Sequence, residues 1–185
     1  MNKAHSPTPA VFGYGSLVNR ATHACAPART ARIRGWRRAW RYTPHRAGPF
    51  LTAVASPDDA IDGLIAAIPG GDWAALDLRE AGYDRLATPE PGVMIYAVPD
   101  HGPVSMEGRE PILLSYVDVV FQGYLREFGP DGLEGFVATT DGWEIPILDD
   151  RAAPRYPRHQ RLSPDETART DALLREIGAI ILPRD

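Results

Sequence analysis

The sequence predicts an α+β fold, and three observations carry that prediction. Short apolar runs bounded by turn-forming residues fill the first half of the chain. Long helical periodicities follow them, and only one short helix-forming stretch interrupts the strands. With 185 residues the chain suffices for one well-buried core, so residues 1–185 read as a single domain whose polar, Pro-interrupted stretch 1–9 is flexible.

Taken in order, Ala10-Val11-Phe12 is a buried strand that runs into Gly13-Tyr14-Gly15-Ser16-Leu17, an exposed loop. Glycine accepts positive φ and lets a ligand approach the backbone, so this loop can present the amides of Gly15, Ser16 and Leu17 to a bound oxygen. Residues 29 to 45 form a long Arg-rich strand carrying Trp36, Trp40 and Tyr42 and closed by Pro44. Phe50 to Ala55 and Gly63 to Ile68 are two further strands, antiparallel neighbours separated by the turn-type cluster Pro57-Asp58-Asp59. Asp72 is the N-cap of a helix reaching Ala81, with Gly82 placed to end it. Val93 to Val98 is the next strand. Ile112 to Phe128 is a substantial helix packed on the sheet and stopped by Gly129-Pro130. Ser163-Pro164-Asp165-Glu166 is a capping box with proline at the first helical position, and Leu173, Leu174, Ile177 and Ile180 form the stripe of the helix it opens. Between these helices, Asp141 to Arg161 is irregular, and a loop of that length often lines a site.

Composition excludes several classes. A net charge of −4 and a pI near 5.7 provide no global field for nucleic acid or an anionic membrane. The single cysteine, Cys25, allows no internal disulfide and no thiol-rich metal site, which suits a reducing cytoplasm. No signal peptide opens the chain, and no apolar run approaches the roughly 18 residues of a membrane helix. The five histidines share no ligand spacing on a common helix, so a zinc site is not expected. Seven arginines between Arg29 and Arg46, interleaved with aromatics, resemble a single-strand-binding pattern. The acidic chain favours instead an exposed strand whose tryptophans pack inward. His23 and Cys25, two residues apart, make a poor nucleophile pair, and Cys25 reads as a small core residue. Core packing is likewise the default for Tyr116 and Tyr124.

Counting also disposes of familiar glycine motifs. Val18 stands where a dinucleotide fingerprint needs its third glycine, no Gly-Lys-Ser/Thr closes a P-loop, and Tyr14 and Val18 replace the glycines of a serine elbow around Ser16. The informative partner of the loop is the helix Trp73 to Tyr83. At ~100° per residue, Glu80 falls between Trp73 and Leu76, with Tyr83 beside Leu76, on the apolar face. A carboxylate there either pairs with a cation, Arg79 or Arg85, or occupies a partly desolvated pocket with a raised pKa.

At these residues the chain resembles the γ-glutamylcyclotransferases, including the AIG2-like and ChaC-like branches. Phe12-Gly13-Tyr14-Gly15-Ser16-Leu17 and Leu76-Asp77-Leu78-Arg79-Glu80-Ala81-Gly82-Tyr83 carry the likeness, which extends from about Val11 to Val98. The loop continues with Val18-Asn19-Arg20 where ChaC-like proteins usually have a Trp-Pro-type sequence. The resemblance implies a small mixed β-barrel with flanking helices, acting without metal or cofactor. It implies that Tyr14, Gly15, Ser16, Leu17 and Tyr83 bind a γ-glutamyl substrate and that Glu80 is the general acid/base. It also implies that the Trp143 to His159 segment, with Arg151, Tyr156 and Arg158, is a substrate-selecting wall.

The expected reaction releases 5-oxoproline: the substrate's own α-amine attacks its γ-carbonyl, so no enzyme nucleophile is needed. One carboxylate with a pKa shifted toward neutrality suits the proton transfers, and loop amides suit the substrate carboxylate or the developing oxyanion. The alternative is a non-catalytic module binding a γ-glutamyl or amino-acid ligand. No nucleic-acid or membrane partner is expected, and the residues specify neither the leaving group nor the oligomeric state.

Overall fold

The computed structural model describes residues 8–102 and 104–183. Residues 1–7 of the stretch expected to be flexible lie outside the described residues. The architecture is α+β. Strand β1 (Ala10–Gly13) lies between β3 (Arg46–Ala67), its antiparallel neighbour, and β5 (Val93–Ala97), which runs parallel to it. All four β1 residues are buried, so the run shows no polar alternation. β2 (Ala28–Thr43) and β3 form a long hairpin that turns at Pro44-His45. β4 (Asp84–Ala87) flanks β5 at one edge of this six-stranded sheet, and β7 (Thr140–Asp141) flanks β2 at the other.

The two strands expected at 50–55 and 63–68 are one. β3 continues through Pro57-Asp58-Asp59 because these residues bulge without reversing the chain. Pairing shifts from Arg34 with Ala60 to Trp36 with Ala55, so residues 56–59 face Gly35, whose φ of +85° supplies the bend. The Ser56 hydroxyl donates to the Asp59 carboxylate at 2.6 Å across the bulge. α1 (Ala74–Arg79) is shorter than the expected 72–81. Its N-cap is Trp73 rather than the expected Asp72, whose carboxylate accepts from the Ala74 N–H at 2.9 Å just ahead of the helix, and Gly82 takes the positive φ of +101° after it.

β6 (Ile112–Leu113) leads directly into α2 (Leu114–Ala138), which breaks at Gly129 as its sequence predicts. The helix then restarts at Pro130, where a missing N–H costs nothing. β8 (Ile147–Leu148) and β9 (Ile181–Leu182) join β6 in a small parallel sheet. α3 (Pro164–Glu176) begins at the expected capping box, with both reciprocal hydrogen bonds formed. Leu173 and Leu174 of its stripe are buried, whereas Ile180 lies beyond the helix and is 52% exposed. Among the described residues, no helix is long and apolar enough to cross a membrane.

Val117, Val120, Phe121 and Tyr124 of α2 pack with Phe12, Ile33, Leu64 and Ile95 of the sheet in one core. The loop after β1 is clamped against this helix. Gly123 permits the contact, since a Cβ there would stand 2.7 Å from the Asn19 nitrogen. The buried Asn19 amide donates to the Val119 carbonyl at 3.0 Å and to Gln122 at 2.9 Å. The start of α2 has no local side-chain cap. A remote carboxylate, Asp150, serves instead: it is wholly buried and accepts from Ser115 N–H at 2.7 Å, Ser115 hydroxyl at 2.6 Å and Arg155 N–H at 2.8 Å. Arg151 binds Asp118 through two nitrogens and reaches Asp171 at 2.7 Å. The irregular segment 141–161 is thereby fixed to α2.

Asp150→Ala strips three donors of their acceptor inside the protein and is expected to destabilise the fold by about 3 kcal/mol. Thermal unfolding should then show a midpoint roughly 6–12 °C lower. An unchanged midpoint would remove Asp150 as the anchor of the segment.

Candidate active site

The loop after β1, the end of α1 and the fixed segment meet around a cleft of about 260 Å³. Ser16, Glu80, Tyr83, Tyr116, Tyr156 and Arg158 are among the residues lining it. A narrower crevice of about 30 Å³ lies against Gly13, Tyr14, Gly15, Ser16 and Leu17 and shares Ser16, Glu80, Tyr83 and Tyr116 with the cleft. Every site residue expected from the loop and the helix therefore lines the cleft, the crevice or both.

The loop is built by close approach. A Cβ on Gly13 would stand 2.5 Å from that of Leu17, and one on Gly15 would stand 2.9 Å from the Tyr116 hydroxyl. Ser16, Leu17 and Val18 then form a single 3-10 turn, with Val18 N–H donating to the Gly15 carbonyl at 2.9 Å. The Tyr116 hydroxyl of α2 lies against this turn. Tyr14 points into the core, where its hydroxyl donates to the Tyr96 carbonyl at 2.6 Å. Its carbonyl accepts from the buried Arg38 at 3.2 Å and from Tyr124 at 2.9 Å.

Glu80 follows the last residue of α1, and its side chain is 17% exposed. Its carboxylate meets Arg79 Nε at 2.9 Å. Arg79 in turn donates to the Ser16 hydroxyl at 3.1 Å and the Thr22 carbonyl at 2.7 Å, joining the acid to the loop. Both expectations for Glu80 are thus realised together: it pairs with Arg79 and it faces the cleft. Arg85 instead pairs with Asp77 at 3.1 Å. Burial pushes the Glu80 carboxyl above its ordinary range, opposed by the positive charges of Arg79 and Arg158. Burial also raises Tyr14, Tyr83 and Tyr116, reinforced in each by the neighbouring Glu80 charge. These hydroxyls stay protonated around neutrality.

Sequence reasoning missed Arg38, Arg46 and Trp40 as neighbours of the site. Trp40 and Arg46 line the cleft, and Trp40 packs edge-on against Tyr116 at 5.7 Å between ring centres. The available signal was strand alternation, which puts Trp36, Arg38 and Trp40 on one face of β2. Tyr116 lines the cleft as well as packing, whereas Tyr124 is wholly buried. Of the residues singled out in 141–161, Tyr156 and Arg158 reach the cleft. Trp143 packs on Trp40 and Phe121, Arg151 is committed to Asp118, and His159 is exposed. Cys25 N–H donates to His23 Nδ1 at 3.1 Å, and burial raises the Cys25 thiol, which disfavours a thiolate nucleophile. Among the described residues, no group of three or more His, Cys, Asp or Glu side chains could hold a metal ion.

No family model matches the sequence. Among solved structures, the chain is similar to YkqA from Bacillus subtilis at 14% identity and a TM-score of 0.54, over 74% of this chain and 56% of that one. It is similar to a protein described as a γ-glutamyl cyclotransferase at 15% identity and a TM-score of 0.50, over 89% of this chain and 99% of that one. An uncharacterised protein from Homo sapiens gives 17% identity and a TM-score of 0.51, over 89% of this chain and 98% of that one. The fold is therefore γ-glutamyl cyclotransferase-like, and the chain spans little more than half the length of YkqA.

Arg79→Met removes the cation closest to Glu80, so the carboxyl must rise further. If Glu80 acts as a base, the acid limb of the kcat/KM profile moves to higher pH, with activity recovering as the pH increases. A limb that stays in place while the whole profile falls would show that Arg79 only supports the loop.

Proposed function

We propose that the protein is a γ-glutamylcyclotransferase-like enzyme that converts a γ-glutamyl amine or peptide into 5-oxoproline and the free amine. The single observation that carries this reading is the half-desolvated Glu80 at the junction of cleft and crevice, against the Gly-Tyr-Gly-Ser-Leu loop. The likeness of sequence motifs and the fold shared with a described γ-glutamyl cyclotransferase support it.

In this reading the glutamyl end enters beside Tyr14 to Leu17, and the scissile amide lies next to Glu80. Ionised Glu80 takes a proton from the substrate α-ammonium. The freed amine attacks the γ-carbonyl carbon and closes the five-membered ring. As the carbon–nitrogen amide bond breaks, Glu80 returns the proton to the departing nitrogen, and the second proton shed by the ring nitrogen follows it, so that 5-oxoproline and the ammonium form of the amine are released. The nucleophile and the carbonyl belong to one molecule, so holding the glutamyl chain folded supplies much of the acceleration. Donors of the Gly15 to Leu17 backbone and the neutral Tyr116 hydroxyl stabilise the oxygen on which charge develops. The single Cys25 suits a reducing compartment.

Glu80→Gln keeps the size of the side chain and removes its proton transfer. With γ-glutamyl substrates it should lower kcat for 5-oxoproline release by roughly 10²–10⁴-fold. A variant as active as the parent would sink the mechanism. Substrate binding without turnover by the parent would establish instead a module that only binds its ligand.

A further inference from the structure

His23 ends the 3-10 turn Arg20–Thr22 that follows the loop after β1, and both of its ring nitrogens are engaged. Nε2 meets the Leu17 carbonyl oxygen at 2.9 Å, and Nδ1 accepts from the Cys25 N–H at 3.1 Å. A carbonyl only accepts and a backbone N–H only donates, so these partners admit one ring, the neutral tautomer with its proton on Nε2. A proton on Nδ1 would set two N–H groups against each other and break the Cys25 bond.

The Leu17 bond reaches the ligand-facing amides through the backbone. Each carbonyl shares a rigid plane with the amide that follows it. Fixing the Leu17 carbonyl therefore fixes the Val18 N–H, which holds the Gly15 carbonyl at 2.9 Å and with it the plane of the Ser16 N–H. The remaining carbonyl of the turn, that of Ser16, accepts from the Thr22 hydroxyl at 2.8 Å. The charged groups facing the ring are Arg79 from α1 and Arg20 from the turn before it, both positive, while the neighbouring Cys25 thiol is kept neutral by burial. Burial holds the imidazole below its ordinary value; the Leu17 bond opposes this, and the two guanidinium charges add to it. The neutral ring is thus favoured by its surroundings, and its hold on the turn is present above the ordinary histidine range and lost as the pH falls.

Resting on the proposed seat of the glutamyl group at this loop, we propose that His23 is a positioning residue: its neutral ring holds the turn in the shape that binds the ligand, and a second proton on the ring releases it.

Two measurements test it, and the first needs no turnover. Heteronuclear NMR of the free protein should find the His23 ring neutral at neutral pH with its proton on Nε2. It should titrate below the ordinary value of about 6.5, with the backbone amides of Leu17, Val18 and Cys25 shifting over the same range. A ring protonated on Nδ1, or one that titrates while those amides stay in place, would overturn the inference. The second is the affinity of Glu80→Gln for γ-glutamyl-alanine, by calorimetry between about pH 7 and about pH 5, where neither the carboxylates nor the ammonium of the ligand titrates. Fewer molecules keep the neutral ring at the acid end, so affinity should fall by about threefold or more. In Glu80→Gln/His23→Gln it should stay level, because the glutamine amide keeps a donor for Leu17 and takes up no proton. An equal fall in both variants, or no fall in either, would contradict the proposal. The two levels stay apart. Ring and amides titrating together, with no ligand bound at any pH, sustain the hold of His23 on the turn and refute the proposed function. Affinity that ignores pH, with 5-oxoproline released by the parent, refutes the role of His23 and leaves the reaction standing.

Discussion

The guanidinium of Arg38 lies wholly inside the protein, where its charge faces hydroxyls, carbonyls and aromatic faces. Nε reaches the Tyr14 carbonyl, one terminal nitrogen reaches Thr139, and the other reaches the Asp62 carbonyl and the Tyr124 hydroxyl. The Phe136 ring lies 4.7 Å from the charged carbon and the Tyr124 ring 5.1 Å. A cation removed from water is tolerated only when its donors are met, so each of these partners has to stay where it is. The arrangement ties together the loop after β1, the middle of β3, the body of α2 and the end of α2. Removing it would release the loop from three elements at once.

The candidate site inherits that rigidity. The loop is pinned from below by Arg38 and Tyr124 at Tyr14, from the side by Asn19 on α2, and from above by Arg79 at Ser16. Glu80 is held against the same loop through Arg79, so acid and cradle move as one body. The electrostatic balance at Glu80 follows from this placement. Burial favours the neutral carboxyl and the two arginines favour the carboxylate, a compromise that suits the proposed proton transfers. Arg79 serves that balance, while Arg158 also faces the cleft beyond it.

The parts legible in the sequence are those decided locally. The Gly13 and Gly15 turn, the break at Gly129 and the capping box at Ser163 each depend on residues a few positions apart. Glu80 was legible for the same reason, through its place among Trp73, Leu76 and Tyr83. The less legible parts are decided by distant partners. Pro57-Asp58-Asp59 carries the composition of a turn, yet the opposing Gly35 on β2 makes it a bulge. β6, β8 and β9 have two residues each, too few for any periodicity. The segment 141–161 owes its order to Asp150 and Arg151 finding α2, a pairing across more than 30 positions. Arg38 shares its face of β2 with two tryptophans, but only the surrounding carbonyls and hydroxyls explain why a charge is tolerated there.

The central proposal is that the cleft and the adjoining crevice place a γ-glutamyl group at the loop and its amide bond at Glu80. A crystal structure of Glu80→Gln with γ-glutamyl-alanine bound tests it most directly. The account predicts the glutamyl end against Tyr14 to Leu17, the amide nitrogen within hydrogen-bond distance of the residue 80 side chain, and the α-amine facing the γ-carbonyl carbon. A ligand lodged elsewhere on the protein, or in the cleft with its amide remote from residue 80, would contradict it.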